Sequence, residues 1–399
     1  MSVTKVKTDN ITSLDASQLS GTLPVMSGAA LTGLQGITKN ASDPTISTNP
    51  SGGVGTLWAN TTSGEMYACT DATAGANLWI NVGAGSGDVA KPFGGLGGGT
   101  VSGYSCGGGA PTQDTIEKYS FASSIVVADH GNMAMGRDGA GSCSSAIDGY
   151  THGGYISGPP GGVGGFRDNI DRFSFATNST ATDHGNMTVA RVGTTGCNSS
   201  TNGYSVGGHL GPSNIRQNTI DTFTFGSNSN STLHGDMSDA GRARGCGQSS
   251  NTDGYHTGGE GVANTRHNII EKFSFTSNVV ATDIADITAA RNYGAGISST
   301  THGYTASGET SSGGSGASET IDRFSFGSGV NATDHGDCSI KRAAAAGSSS
   351  TTHGFVAAGS QPSVGATKSI DKFSFSSNVT ATDHGDLAAT ETGGCGCQV

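Results

Sequence analysis

A six-residue phrase recurs six times along the chain and sets the length of its structural repeat. Isoleucine, an acidic residue, a basic or polar residue, an aromatic residue, Ser or Thr, and Phe follow one another, beginning at Ile116, Ile170, Ile220, Ile270, Ile321 and Ile370. The isoleucines stand 49 to 54 residues apart. Periods of roughly 20 to 50 residues are typical of solenoids, propellers and repeat arrays. The repeat therefore constrains the fold more strongly than composition does.

Further landmarks keep the same period. A Gly-aromatic pair follows a basic residue by twelve positions in each copy, the basic residues being Lys91, Arg137, Arg191, Arg242, Arg291 and Arg342. A glycine doublet such as Gly207-Gly208 comes next in the first four copies. A segment such as Ala181 to Met187, which reads Ala-Thr-Asp-His-Gly-Asn-Met, closes the copy. Each copy thus contains four segments that recur in the same order and with the same period.

These segments predict four short strands in each copy. Strand a runs from the basic residue into small residues, and strand b runs from the Gly-aromatic pair to the doublet. Strand c alternates with a period of two, as half-buried strands do, and strand d passes through Ala-Thr-Asp-His. The order resembles that of kelch repeats, although the Trp usual on the outer strand is missing. The resemblance covers roughly residues 91 to 399 and implies an all-β, six-bladed kelch-like β-propeller.

The first blade has two candidates for its strand a, and the sequence leaves both open. Residues 91–101 precede the blade, and residues 390–399 form a surplus strand a at the end of the repeats. The basic residue of strand a and the acid of strand c are expected to form an ion pair, either within a blade or between blades; ligand binding is the alternative. Many of the 67 glycines fall at fixed repeat positions, where turns and closely packed inner strands exclude side chains.

The first ninety residues lack the period. We divide the chain into an N-terminal attachment and oligomerisation segment, a small β module with a three-stranded meander, and the propeller, at residues 1–40, 41–88 and 89–399. The Leu-Gly phrases of the first segment cannot bury their leucines alone, which predicts association with other copies. Together with the meander that holds Trp58 and Trp79, this start resembles tail-fibre and related virion proteins of marine bacteriophages. Their kelch-like blades carry phrases similar to Ala-Thr-Asp-His-Gly-Asp.

Charge and hydropathy exclude some functions. The net charge is −11 and the isoelectric point is about 5.3, with no basic stripe that would follow phosphates, so we expect no nucleic-acid partner. The sequence contains no apolar segment long enough to predict insertion into a membrane. The start of the chain lacks the apolar region of a signal peptide, while the composition is typical of extracellular proteins. A virion protein that is assembled in the host cytoplasm satisfies both observations.

Motifs for catalysis or cofactor binding are weak. The recurring Asp-His pairs would lie one per blade, so they are expected to make turn or inter-blade hydrogen bonds rather than a metal site. Cys143, Cys197 and Cys397 share one repeat position and are expected to be small buried thiols; a metal or disulfide role is the alternative. We therefore predict no catalytic residues, no metal, no cofactor and no enzyme activity.

The segments between strands b and c vary in length and content while the frame stays constant. Such loops on a rigid scaffold are where binding sites are usually found. The candidate binding residues are Tyr155, Phe166, Arg167, Arg216, Arg266 and His267; drift without function is the alternative.

The resemblance implies a homotrimeric phage fibre or spike attached to tail or capsid proteins through its N-terminus, whose propeller binds a host-surface receptor or polysaccharide. The alternatives are a virion decoration or connector protein, and a carbohydrate-active enzyme.

Overall fold

A computed structural model describes residues 37–82, 101–109, 112–124, 127–157, 165–211, 213–311 and 316–399. Over these residues the protein is all-β, apart from a 3-10 helix at Val262–Asn264. The chain divides into two compact units, Met1–Lys91 and Pro92–Val399. No helix in the described part is long and apolar enough to cross a bilayer. Residues 1–36 of the predicted attachment segment lie outside the described residues.

The N-terminal unit contains one four-stranded sheet. Its strands are β1 (Ile37–Asn40), β2 (Leu57–Asn60), β3 (Met66–Asp71) and β4 (Leu78–Asn81). Strands β2 to β4 form the predicted antiparallel meander, and β1 adds to its edge in parallel with β2. The sheet therefore includes four residues that the sequence division assigned to the preceding segment. Trp58 and Trp79 pack edge to face, with ring centroids 5.8 Å apart, and form its core.

The C-terminal unit contains six four-stranded antiparallel sheets, which we number 1 to 6. Sheet 1 consists of β5 (Ser102–Gly108), β6 (Gln113–Ser120), β7 (Ala128–Asn132) and β33 (Cys395–Gln398). Sheet 2 consists of β8 (Gly141–Ser144), β9 (Asp148–His152), β12 (Asn169–Ser174) and β13 (Thr182–Asn186). Sheet 3 consists of β14 (Thr195–Asn198), β15 (Asn202–Val206), β18 (Thr219–Thr224) and β19 (Thr232–Asp236). Sheet 4 consists of β20 (Cys246–Ser249), β21 (Asp253–Thr257), β22 (Ile269–Ser274) and β23 (Thr282–Asp286). Sheet 5 consists of β24 (Ala295–Ser298), β25 (His302–Ala306), β26 (Ser318–Ser325) and β27 (Thr333–Arg342). Sheet 6 consists of β28 (Ala346–Ser349), β29 (His353–Ala357), β31 (Gly365–Ser374) and β32 (Thr382–Glu391).

Three short antiparallel strand pairings lie in the segments between the second and third strands of their sheets. They are β10 (Tyr155–Ile156) with β11 (Gly165–Phe166), β16 (His209–Leu210) with β17 (Ile215–Arg216), and β30 (Ser360–Gln361) with β31. They lie in the segments that the sequence analysis identified as variable.

One edge strand of each sheet lies against the corresponding strands of two other sheets, and we call it the inner strand. The contacts run from β8 to β14, β20, β24, β28 and β33 and then return to β8. The second residue of each inner strand is glycine in five sheets and Ser142 in sheet 2. A Cβ at Gly296, for example, would overlap the backbone oxygen of Gly247 on the neighbouring inner strand. Glycine is required here because the backbones approach closely.

Sheet 1 takes its inner strand from the end of the repeats. Strand β33 pairs with β5 in antiparallel register, Cys397 opposite Tyr104. Of the two candidates in the sequence analysis, the segment 390–399 therefore fills this position; residues 91–100 lie outside the described residues. The inner strands also begin four residues after the basic residue, as β8 does after Arg137, so the predicted start of strand a is wrong.

The intervening residues form a cycle of six backbone hydrogen bonds. Each N–H donates to the carbonyl oxygen of the equivalent residue in the adjacent connection, over distances of 2.7 to 3.0 Å. The members are Gly139, Gly193, Arg244, Tyr293, Ala344 and Gly393, all with φ between 55° and 74°. This backbone cycle displaces the start of the strand, because left-handed residues cannot continue a pleated strand.

Aromatic side chains fill the space between neighbouring sheets further out. The aromatic residue of each Gly-aromatic pair stacks on a phenylalanine that follows the third strand of a neighbouring sheet, as Tyr204 does on Phe275 at 4.7 Å. Histidines of the outer strands add hydrogen bonds between sheets. His184 Nε2, for example, donates to Thr224 O at 2.8 Å, because a carbonyl oxygen can only accept. The predicted structural role of the Asp-His motif is confirmed at this histidine.

Candidate functional site

Five sheets contain a buried ion pair between the basic residue and the acid of the third strand. The pairs are Arg137–Asp171, Arg191–Asp221, Arg242–Glu271, Arg291–Asp322 and Arg342–Asp371. Their side chains are at most 2% exposed. The predicted ion pair is therefore confirmed in these five sheets. Because the pairs are enclosed within the frame, their charges are not presented to a ligand.

Sheet 1 departs from this pattern. Glu391 stands where the other sheets have arginine, and the acid of the third strand is Glu117. Both side chains are buried; Ser105 Oγ donates to Glu391 Oε2 at 2.7 Å, and Ala388 N donates to Glu117 Oε2 at 3.0 Å. Burial, reinforced by the charge of Glu117, raises the pKa of Glu391 to about 7. Burial also raises the pKa of Glu117.

The end of the sheets that carries the variable segments also carries the backbone cycle, and we call it the loop face. Isolated bridges connect the two, among them Asp138 to Tyr155 and Asn292 to Glu309. Three members of the cycle are glycines, whereas Arg244, Tyr293 and Ala344 hold side chains in a left-handed conformation. Each costs about 1 kcal/mol relative to glycine. Such strain indicates a role for the side chains of Arg244 and Tyr293.

Arg244 and Tyr293 contact each other on the loop face. The guanidinium carbon of Arg244 lies 5.0 Å from the centroid of the Tyr293 ring, a cation–π contact. Arg244 Nη1 also forms an ion pair with Glu260 Oε2 at 3.1 Å. The Arg244 side chain keeps 25% of its surface exposed. A partly exposed cation and an aromatic ring are thus held in a fixed orientation.

Glu260 is the centre of a polar cluster beside this contact. It forms a second ion pair with Arg216 and accepts a hydrogen bond from Asn292 Nδ2 at 2.7 Å. Burial acts to raise the pKa of Glu260, but Arg244 and Arg216 outweigh it and hold this pKa below its usual value. Glu260 therefore stays ionised and positions both arginines.

Arg266 extends the cluster to the next sheet. Its Nη2 forms an ion pair with Glu309 Oε2 at 3.2 Å, and its Nε donates to Glu309 O at 3.0 Å and to Asn292 Oδ1 at 3.2 Å. Asn292 therefore links the two ion-paired groups through its amide. The loop-face cluster comprises Arg216, Arg244, Glu260, Arg266, Asn292, Tyr293 and Glu309.

The other candidate residues lie around this cluster. Tyr155 and Phe166 pack edge to face at 5.6 Å, and Phe166 packs on His209 at 5.8 Å. Tyr155 is 38% exposed. His209 is buried, and its burial, together with the charges of Arg244 and Arg216, lowers its pKa to about 4. Tyr155 and Phe166 thus form a partly exposed aromatic platform.

Arg167 and His267 make frame contacts. The backbone N–H of Arg167 donates to Gly154 O at 2.9 Å, and its carbonyl accepts from Arg191 N at 3.0 Å. Burial and the charge of Arg242 lower the pKa of His267, which lies near the buried ion pair of sheet 4. The structure therefore brings Arg216 and Arg266 into the cluster and places Tyr155 and Phe166 beside it.

Arg244, Tyr293 and Asp138 were not predicted from the sequence as functional residues. A signal was available, because the position two residues after the basic residue, or after Glu391 in sheet 1, is glycine in three connections and Arg, Tyr or Ala in the others. Asp138 lies next to the cycle in sequence, and burial raises its pKa to about 6. Without the geometry, nothing marks that position as the centre of the loop face.

The cysteines are buried thiols, as predicted. All eight cysteines are free and buried. Cys397 Sγ donates to Cys143 O at 3.4 Å, and Cys197 Sγ donates to Tyr255 O at 3.3 Å. Within the described ranges no group of three or more His, Cys, Asp or Glu residues is arranged to hold a metal ion. The thiols at the shared repeat position therefore act as small buried side chains.

Comparisons with known proteins bear on the fold alone. No protein-family model matches the chain. No curated protein matches it in sequence. A solved structure titled "Structure of YjhT" is similar, with a TM-score of 0.59 and 14% identity, over 72% of this chain and 98% of that one. The likeness supports the multi-sheet, all-β architecture of the C-terminal unit.

Proposed function

We propose that the C-terminal unit is a six-bladed kelch-like β-propeller in which each numbered sheet is one blade. Four observations support this proposal: the cyclic contacts of the inner strands, the backbone cycle on the loop face, the pairing of β33 with β5, and the likeness to "Structure of YjhT". In this architecture the inner strands surround a common axis, and the loop face is one end of it.

We further propose that the chain is a bacteriophage virion protein, a homotrimeric tail fibre or spike. Its N-terminal segment attaches it to tail or capsid proteins, and its propeller binds a host-surface receptor or polysaccharide. The resemblance of the repeats and of the Trp-containing meander to marine phage fibre proteins supports this assignment. Adsorption is then multivalent, because several weak sites on one particle act together.

The observation that carries host binding is the contrast between the frame and the loop face. The ion pairs, inner glycines and stacked aromatic residues recur from sheet to sheet, whereas the complete loop-face cluster occurs once among the residues that the structure describes. Its exposed or partly exposed members include Arg244 and Tyr293, and Tyr155 adds an aromatic surface nearby. A rigid scaffold that presents a unique set of polar and aromatic groups is typical of a binding protein.

The test uses phage particles together with the purified chain. Antibodies against the chain should label intact particles, and excess purified chain should slow the adsorption of these particles to host cells. Tyr155→Ser should weaken this competition. Val280→Ser is the matched control, because Val280 is 57% exposed in a turn that connects the third and fourth strands, away from the loop face.

Two results would contradict the proposal. Particles that the antibodies fail to label would refute the virion assignment. Labelled particles whose adsorption is unaffected by excess chain would refute receptor binding and favour a decoration or connector protein.

A further inference from the structure

The side chain of Tyr293 borders a cavity on the loop face. The cavity measures about 280 Å³, and its lining includes Asp138, Glu309, Gln361 and Thr392. One pyranose ring with its hydroxyl groups fits a space of this size. The lining combines an aromatic ring with carboxylate, amide and hydroxyl groups, which together supply both acceptors and donors.

The backbone at Tyr293 gives independent evidence that this ring has a function. Its φ is 55°, in the left-handed region that three other members of the backbone cycle satisfy with glycine. A bulky aromatic residue is among the least favoured there. The cycle does not need the ring to close, because Gly139, Gly193 and Gly393 make the same hydrogen bonds. A bulky aromatic side chain kept in this strained conformation indicates a role for that side chain.

The charges around the cavity determine the class of ligand. The charged residues of the lining are the acids Asp138 and Glu309, and each has a cationic neighbour, because Arg244 acts electrostatically on Asp138 and Arg266 pairs with Glu309. Arg266 holds Glu309 by an ion pair, which fixes the direction of its carboxylate. Burial raises the pKa of Asp138, which makes an additional uncompensated charge at this site unfavourable. A neutral ligand rich in hydroxyl groups meets these conditions.

We propose that this cavity binds one neutral hexose-class residue of a surface polysaccharide, with its ring against Tyr293 and its hydroxyl groups donating to Asp138 and Glu309. The inference rests on the proposed function and names the ligand of the same loop face. Arg244 holds the tyrosine ring in place, and Gln361 and Thr392 serve hydroxyl groups at the rim.

The experiment is saturation-transfer NMR on the full chain. The probes are D-glucose, D-galactose, D-mannose and N-acetyl-D-glucosamine, with D-glucuronic acid and D-glucosamine as charged counterparts. At least one neutral probe should bind more tightly than both charged ones. Tyr293→Gly should weaken that binding by roughly tenfold or more, since the stacking surface is lost. Ala263→Gly makes the same change from a left-handed residue to glycine at an exposed position outside the cavity lining, and it should leave binding unchanged.

Controls separate a binding defect from a folding defect. Tyr293→Gly should retain the thermal stability of the parent, because glycine accepts the left-handed conformation without strain. Asp138→Asn provides a second variant and should also weaken binding of the neutral probe.

Each contrary outcome has a distinct meaning. Binding that Tyr293→Gly leaves intact, or a preference for a charged probe, would overturn the inference. Absence of binding by a chain that still slows phage adsorption would overturn it while leaving the proposed function in place. A chain that neither binds a probe nor slows adsorption would overturn both.

Discussion

The sheet that joins the two ends of the repeats has two buried carboxyl groups where the others have an ion pair, and this predicts an unusual pH dependence of stability. Glu391 is fully buried, and its pKa is raised from 4.5 to about 7 by burial and then by Glu117. Among the described residues, the charged group that acts on the pKa of Glu391 is another acid, Glu117, and no cation there pairs with the ionised form. Replacing Glu391 with glutamine keeps the shape and removes the titration.

The sign follows from the raised pKa. Between about pH 4.5 and pH 7 the folded protein keeps a proton on Glu391 that the unfolded chain has released. This group therefore contributes its full stabilisation below pH 4.5, and the contribution is lost as the pH rises through about 7. The interval corresponds to about 3 kcal/mol of unfolding free energy. His152, whose pKa burial lowers to about 3, acts in the opposite direction, so the total pH profile does not isolate Glu391.

The assay is urea unfolding of the parent and Glu391→Gln at about pH 5 and about pH 8. Glutamine resembles the protonated carboxyl, so the two proteins should have similar stability at the lower pH. At the higher pH the variant should be more stable by up to about 3 kcal/mol. Glu319→Gln is the control, because the Glu319 side chain is 40% exposed. An equal difference between parent and Glu391→Gln at both pH values would refute the reasoning.

Two further predictions concern the frame. Gly296→Ala should destabilise the protein by about 3 kcal/mol or more, because its Cβ would overlap backbone of the neighbouring inner strand, whereas Ser142→Gly at the equivalent position should be tolerated in thermal unfolding. Arg342→Met should cost about 3 to 5 kcal/mol in urea unfolding, because it leaves Asp371 buried without its cation. In that experiment Arg342→Met/Asp371→Leu should recover part of the loss, and no recovery would contradict an ion-pair origin.

Most of the frame could be predicted from the sequence because its physical constraints recur. The period-two alternation of the third strand groups Asp171, Phe173 and Phe175 on one face, and all three are buried. Ile170 belongs to the opposite set and is buried as well, which the alternation does not explain. The basic and acidic landmarks meet as ion pairs, because a buried charge needs a partner at the same place in each repeat. Four strands per repeat were therefore predictable, although the start of the first one was not.

The remaining features depend on contacts between distant residues. Two segments fitted the inner strand of sheet 1, and sequence pattern does not rank them, because both have the same small residues. The backbone cycle could not be predicted either, because its hydrogen bonds join residues that are distant in sequence. Glycine is an ordinary turn residue at three of its positions, but Arg244 and Tyr293 do not resemble turn residues. Arg216 and Arg266 were identified by their variable setting, whereas their partners Glu260 and Glu309 were not.

The pairing of β33 with β5 has a consequence for biosynthesis. During translation the five sheets that draw all their strands from one continuous stretch can form in turn, while β5 keeps an unpaired edge until the residues of β33 leave the ribosome. An exposed edge strand is a template for pairing with another chain. The interval between the synthesis of these two strands is therefore the period in which nascent copies on one messenger can exchange strands.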